Sequence, residues 1–503
     1  MANVLYDALF APHLGKQTPF LIDANGQVTT HDAFLKIVAR FAHAICAKDV
    51  QPGDRIVAQV AKSTEALALY AASVQSGAVF LPLNTAYTAK EIAYFVEDAA
   101  PKLILCDDSS YDALRGIAAS TGANLMTLDA DGNGSFPRAA AGQSDFFPTV
   151  ARSADDLAAF LYTSGTTGRS KGAMLSHNNL LSNATVLKDY WHFTSDDCLL
   201  HALPIFHTHG LFVGSNVSLL AGGSVIFLPS FKTDDMIANL PKATAMMGVP
   251  TFYTRLLDDD RFTGELVAHM RLFVSGSAPL LAETHKEFET RTGHRILERY
   301  GMTETNMITS NPYDGPRRAG TVGFPLPGID IRIAEPDTGA KLPQGDIGVV
   351  ELKGPNVFQG YWQMPEKTKT EFREDGYFIT GDMGMIDDQG YLQIVGRAKD
   401  LIISGGYNIY PKEVEILLDD QDGIKESAVI GVPHPDFGEA VVGVIVAENG
   451  KAIETSKVLE TIRQDIARFK QPKQLFEVSE LPRNTMGKVQ KNVLREQYKN
   501  TFS

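Results

Sequence analysis

The sequence predicts an α/β protein: a mainly parallel sheet region with helices on both faces, a small β-barrel or meander appended to it, and a small α+β domain at the C-terminus. Three observations carry this reading. From Ala33 to Ser275, short apolar runs alternate with stretches of helical apolar spacing, the pattern of parallel strands with covering helices. From Gly323 to Val395, short β-type segments lie between Pro and Gly turns. Beyond Gly396-Arg397-Ala398-Lys399-Asp400, strands and helices mix again over a stretch of ordinary domain size.

The elements follow in order. Ala33–Cys46 is a helix, with Phe34, Ile37, Val38, Phe41 and Ile45 on one side. Asp54–Val60 is a strand set off by Pro52-Gly53, and Thr64–Gly77 a helix stopped by its glycine. Strands at Val79–Leu83 and Leu103–Cys106 flank a helix at Thr88–Asp98, and residues 130–150 read as a surface loop. Ala158–Tyr162 is a buried strand that runs into a Gly- and hydroxyl-rich loop from Thr163 to Gly172, and Ser176 to Asn179 can cap the helix that follows. Strands at Cys198–Ala202, Ser224–Phe227, Ala245–Val249 and Leu272–Ser275 alternate with helices at Leu211–Leu220 and Pro250–Leu257. Ile329–Ala334, Gly348–Lys353 and Tyr391–Val395 are the β-type segments. The last domain has strands at Leu401–Ser404, Glu426–Gly431, Ala440–Val446 and Gln474–Val478, with helices at Pro411–Asp419 and Ser456–Ile466. Pro411 suits the start of a helix, where its missing N–H would have no partner anyway.

Composition narrows the function classes. The 503 residues carry a formal net charge of −14, which argues against a broad nucleic-acid footprint. Cys46, Cys106 and Cys198 form neither a zinc spacing nor a disulfide framework, which fits a reducing, cytoplasmic compartment. Met1 to Phe10 does not read as a signal peptide, and the longest apolar run, about Ala66–Ala72, is far below the ~20 residues of a spanning helix, so stable membrane insertion is not expected.

Thr163-Ser164-Gly165-Thr166-Thr167-Gly168-Arg169-Ser170-Lys171-Gly172 is the strongest chemical signal. Glycines let backbone N–H groups approach a polyphosphate, the hydroxyls donate, and Arg169 and Lys171 supply charge, all at the end of a strand. It lacks the Gly-Lys-Ser/Thr ending of a Walker loop and the Gly-x-Gly-x-x-Gly of a dinucleotide site. Tyr300-Gly301-Met302-Thr303-Glu304, Tyr377-Phe378-Ile379-Thr380-Gly381-Asp382, Gly396 to Asp400 and Pro482-Arg483-Asn484-Thr485-Met486-Gly487-Lys488 follow it in order. With these motifs the chain resembles, over essentially its whole length, the adenylate-forming superfamily of acyl-CoA synthetases, peptide-synthetase adenylation domains and luciferases.

The resemblance implies an N-terminal AMP-binding domain over 1–396 with two sheets and a barrel-like part near 323–395, a hinge at 397–399, and a mobile C-terminal domain over 400–503. It implies ATP and Mg2+ as cofactors and CoA as co-substrate. Thr163, Ser164, Gly165, Thr166, Thr167, Gly168 and Lys171 would meet the phosphates. Thr303 would contact the α-phosphate and Tyr300 the adenine. Glu304, with Thr166, would hold the metal. Asp382 and Arg397 would take the ribose. Lys488 would bridge the substrate carboxylate and the α-phosphate, where an ammonium cancels the repulsion of two anions. Lys399 would be the pivot, and Ser404, Gly405, Gly406 and Tyr407 would pass the pantetheine arm of CoA. His207 would gate the carboxylate path, with His209 structural; a zinc site at these two histidines lacks a third ligand. Acetylation of Lys488 would remove its charge, which would make it a control point for an acetyltransferase and deacetylase. A monomer or weak homodimer is expected.

Two residues bear on the acid. An arginine beside an acyl pocket is costly to bury unless a carboxylate meets it, so Arg255, with Ser277, points to a short diacid. Helical periodicity leaves equally open that Arg255 projects to solvent. Gly248 to Tyr253, and Ser275 to Pro279 with Tyr300 to Met307, resemble the malonyl-CoA synthetases, which implies malonate, and also methylmalonate, as the acid. Ligation of another short acid, and nucleotide binding without catalysis, are the alternatives.

Overall fold

The computed structural model describes residues 3–163, 170–404, 407–448, 451, 453–463, 465–484 and 487–502, with backbone alone at 407–408. The chain packs as two units: residues 1–320, 324–329 and 353–371 in the first, and 321–323, 330–352 and 372–503 in the second.

Two sheets organise the first unit. One has six strands in the order Asn124–Thr127, Leu103–Cys106, Arg55–Gln59, Val79–Pro82, Leu157–Thr163, Lys171–Ser176. All pairs are parallel except the last, a hairpin in which Thr163 faces Lys171. The other has nine strands, with a parallel centre (Leu297–Met302, Leu272–Ser275, Ala245–Gly248, Cys198–His201, Ser224–Phe227, Pro19–Ile22) and antiparallel pairing at both edges. The helix Thr64–Ser76 is buried on every side from Ala66 onward, which its many alanines permit; Ser63 caps its start and Gly77, at φ 76°, ends it. Ser176 and Asn179 form a reciprocal capping box on His177–Tyr190.

In the second unit, Asp330–Ala334, Gly348–Lys353, Phe378–Ile386 and Leu392–Arg397 form a four-stranded meander. A further sheet orders Tyr407–Ile409, Ile402–Ser404, Gly438–Ala447 and Ile424–His434, with Gln474–Val478 parallel to Gly438–Ala447. Both faces are covered: Val429, Val441 and Ile445 pack with Val414 and Leu418, while Ile430, Val442 and Val444 pack with Leu481 and Leu494. That explains why Gly438–Ala447 reads as a nearly continuous apolar run.

The structure revises several expected elements. Residues 130–150 contain a helix, Ser135–Ala140, because Phe136 and Ala140 are buried anchors. The loop expected from Thr163 to Gly172 is shorter, since the ladder holds Thr163 and Lys171–Gly172 in strands. The helix expected at Leu211–Leu220 begins as wide π-type turns over His209–Ser215 before the α-helix Asn216–Ala221. The strands Phe378–Ile386 and Leu297–Met302 and the helix Lys491–Tyr498 were not anticipated. Among the described residues, no helix is long and apolar enough to cross a membrane.

Two stability predictions arise. Glu351, with a fully buried side chain, lies between Arg332 at 2.8 Å and Arg373 at 2.7 Å. Glu351→Ala leaves two partly buried guanidinia without it, and an unfolding free energy lower by ~3–5 kcal/mol in urea melts is expected. His177 is fully buried with no hydrogen-bond partner for either ring nitrogen among the described residues, and burial lowers its pKa to about 4. The unfolded chain then binds the extra proton, so this contribution is intact above the unfolded pKa of about 6.5 and fades as pH falls toward 4. His177→Leu should therefore reduce the loss of Tm between pH 6.5 and pH 4.

Candidate active site

The Leu297–Met302 strand turns back into Asn306–Ser310, and Thr303-Glu304-Thr305 form the corner. Gly301 is demanded there, because a Cβ would sit 2.1 Å from the Asn306 carbonyl. Glu304 is buried, and the Tyr361 hydroxyl donates to its Oε1 at 2.9 Å. The Lys171 ammonium lies 4.2 Å from the Tyr361 ring centroid and 3.6 Å from Glu371. A cation expected at phosphate and a carboxylate expected at metal thus converge on one tyrosine. Thr163 is half-buried beside Lys171; Tyr300 and Thr303 are half-buried on the Glu304 hairpin. Ser164, Gly165, Thr166, Thr167 and Gly168 lie outside the described residues. Tyr361 carries no signal in the sequence, since its partner Glu304 lies 57 residues earlier.

The donor set at Glu304 fits Mg2+ carried on phosphates. Such an ion keeps waters and phosphate oxygens and needs only one or two protein carboxylates, whereas a resident metal cage needs more. Among the described residues, no cluster of three or more His, Cys, Asp or Glu could form such a cage.

A second cluster lies on the nine-stranded sheet and the segment after Cys198–His201. Arg299 is 4% exposed, and its Nε and Nη2 have no hydrogen-bond partner among the described residues. Its guanidinium lies over Gly276, where a Cβ would be 2.3 Å from the guanidinium carbon. Burial lowers its pKa to about 9, the cost of desolvating the guanidinium. Next to Gly276, Ser277 holds φ 73°, a left-handed conformation costly for a non-glycine residue, and its Oγ lies 3.2 Å from His209 Nδ1. His207 Nε2, Thr208 Oγ1, His209 Nε2 and Ser275 Oγ are likewise buried without partners among the described residues. Burial lowers the His207 pKa to about 4; burial, then the Arg299 charge, pulls His209 well down, so both are neutral near pH 7.

Lys62 and His201 hold this segment from behind. The Lys62 ammonium donates to His201 Nδ1 and to the His201 carbonyl, both at 2.8 Å, and His201 Nε2 donates to Gly210 O at 2.8 Å. Burial pulls the Lys62 amine well below its usual range.

Arg255 is not brought to this cluster. It faces outward from Pro250–Leu257, is exposed, and lines an external crevice with Asp234, Asp258, Asp259 and Arg261. Phe252, Tyr253, Leu256 and Leu257 take the buried side of that short helix, which leaves Arg255 the solvent side. Arg299 escaped the sequence reading, although a Glu298-Arg299 pair inside an apolar strand was its signal.

In the second unit, Asp382 is buried and its Oδ1 lies 2.6 Å from Arg397 Nε, the two residues being register partners. Lys399 is exposed in the turn Ala398–Asp400, and partial desolvation lowers its pKa. Ser404 is buried at a strand end; Gly405 and Gly406, and the Tyr407 side chain, lie outside the described residues. Lys488 closes a tight turn in which its N–H donates to Asn484 Oδ1 and its carbonyl accepts from Asn484 N, each at 2.9 Å.

The first unit carries the two sheets and the glutamate corner, and the second carries the lysine turn. Residues 12–362 match the AMP-binding enzyme family and residues 413–488 the AMP-binding enzyme C-terminal domain, and the chain belongs to that family. It is 57% identical to the ATP-bound crystal structure of MatB from Rhodopseudomonas palustris, covering 100% of both chains at a TM-score of 0.98. It is 36% identical over 467 residues to the malonate–CoA ligase of Arabidopsis thaliana, covering 84% of this chain and 75% of that one. A feruloyl-CoA synthase of Amycolatopsis is 33% identical, with 94% of each chain covered.

Proposed function

We propose that this protein is an AMP-forming malonate–CoA ligase: malonate, ATP and CoA give malonyl-CoA, AMP and diphosphate through a malonyl-adenylate. The observation that carries the acid is Arg299, a buried guanidinium whose Nε and Nη2 have no hydrogen-bond partner among the described residues, in the cluster that holds Ser277 and the neutral His207 and His209. An uncompensated buried charge is costly, and a dicarboxylate repays it by a two-pronged contact. We therefore assign the distal carboxylate to Arg299 and Ser277, with Arg255 outside the pocket. Methylmalonate is the expected second substrate.

In the first step a malonate oxygen attacks the α-phosphorus and diphosphate leaves. Lys488 offsets the repulsion of the two anions, Thr303 donates to the α-phosphate, and Lys171, Thr163 and the hydroxyls and amides of 164–168 hold the remaining phosphates. Mg2+, held by Glu304 and Thr166, would draw charge from the phosphates. Tyr300 lines the adenine. Asp382, released from Arg397 or sharing it, accepts the ribose hydroxyls. In the second step the CoA thiol displaces AMP from the adenylate carbonyl, after a pivot at Lys399 brings Ser404, Gly405, Gly406 and Tyr407 to the pantetheine arm. His207 moves aside to admit the acid. The cytoplasm is the assigned compartment, supported by three free cysteines.

The test is a thioester screen across acetate, malonate, methylmalonate, succinate and longer acids. Malonate should give the highest kcat/KM, and a preference for acetate or an aromatic acid would reject the assignment. Asp382→Asn weakens a charged acceptor at the ribose, and the KM for ATP should rise about tenfold or more with little change in the KM for malonate.

A further inference from the structure

The turn that carries Lys488 is braced on both sides by ion pairs to which the proposed chemistry gives no task. Before it, the Arg483 guanidinium is bonded to the Glu426 carboxylate on the strand Ile424–His434. The other arm of Arg483 donates to the Gly487 carbonyl at 2.6 Å, and Arg483 bridges Val489 through the backbone. Inside the turn, Gly487 N donates to Asn484 O at 2.9 Å, and Gly487 holds φ 73°, which favours glycine. After it, Lys491 is bonded to Glu415, a buried residue of Pro411–Asp419 whose Oε1 also accepts from Val429 N at 3.0 Å. The lysine three residues beyond Lys488 is thus committed to structure.

A half-exposed pair such as Arg483–Glu426 adds little to stability. It does join the turn to the rigid sheet at the residue whose side chain also grips Gly487, the neighbour of Lys488. A long lysine must place one charge between two oxyanions, and a misplacement of about 1 Å can cost on the order of a hundredfold in rate. We infer that Arg483 with Glu426, supported by Lys491 with Glu415, are positioning residues for Lys488, which make its turn a rigid extension of the C-terminal sheet and act in adenylation alone. This rests on the proposed role of Lys488 in that step.

The experiment separates the two half-reactions in the full-length protein. Malonate-dependent ATP–pyrophosphate exchange reads adenylation; thioester formation from pre-formed malonyl-adenylate and CoA reads the transfer. Glu426→Gln and Arg483→Met should lower exchange about tenfold while the transfer changes less than about twofold, and Glu426→Asp should recover most of the exchange. Lys488→Ala is the control. If it loses exchange and the Glu426 and Arg483 variants do not, the positioning role is overturned and the Lys488 reading stands. If Lys488→Ala keeps exchange, both fall. Equal losses in the two half-reactions, or losses that follow Tm, would show a merely structural pair and also overturn the inference.

Discussion

Lys488→Ala should abolish malonyl-adenylate formation, by about a thousandfold or more, while ATP still binds. The first step joins a carboxylate to a triphosphate, and its barrier is largely the approach of two anions. No general base is required, since the attacking group is already a carboxylate. Removing one oriented donor at a developing charge typically costs ~10²–10³ in rate. A full cation bridging two oxyanions belongs at the upper end of that range. Under the proposed function nucleotide affinity rests on other groups as well, among them Lys171 beside Tyr361 and the Glu304 corner. The variant should therefore show ATP binding within a few-fold of the parent by calorimetry and no malonate-dependent pyrophosphate release. Lys488→Arg should recover little, because a planar fork does not replace a point charge.

Arg299→Met should reduce kcat/KM for malonate by about a hundredfold or more, the scale of deleting one member of a buried charge pair worth ~2–5 kcal/mol. The loss should be confined to the acid, with the KM for ATP little changed. Folding stability should move the other way. In the free protein Arg299 is buried with Nε and Nη2 unpaired among the described residues, so an apolar side chain of similar length relieves a cost rather than adding one. A variant at least as stable as the parent and far less active on malonate is the signature of a charge kept for its ligand. Selectivity should shift with it: the ratio of malonate to butyrate turnover should fall, because the pocket no longer rewards a second carboxylate.

The family was legible because its motifs are contiguous: the segment beginning at Thr163, Tyr300 to Glu304, and Pro482 to Lys488 each stand out by residue type. The sheets were legible where one strand follows another through a helix, as from Arg55 to Cys106. The proposed acid pocket was not, because its members come from separate elements. Arg299 sits mid-strand, His209 opens a set of wide helical turns, and Ser277 follows the end of another strand; only the sheet order joins them. Arg255 drew attention as an arginine expected beside the acyl pocket, yet a helix of eight residues with four buried has an outer side, and Arg255 is on it. Tyr361 was hidden for a similar reason: its partner Glu304 lies 57 residues earlier.

The central claim, that a buried guanidinium on the Leu297–Met302 strand selects the diacid, is tested most directly by measuring kcat/KM for malonate in Arg299→Met and Arg255→Met side by side. The account predicts a loss of about a hundredfold or more for Arg299→Met and a change within about threefold for Arg255→Met. A large loss in Arg255→Met with Arg299→Met near the parent would contradict it.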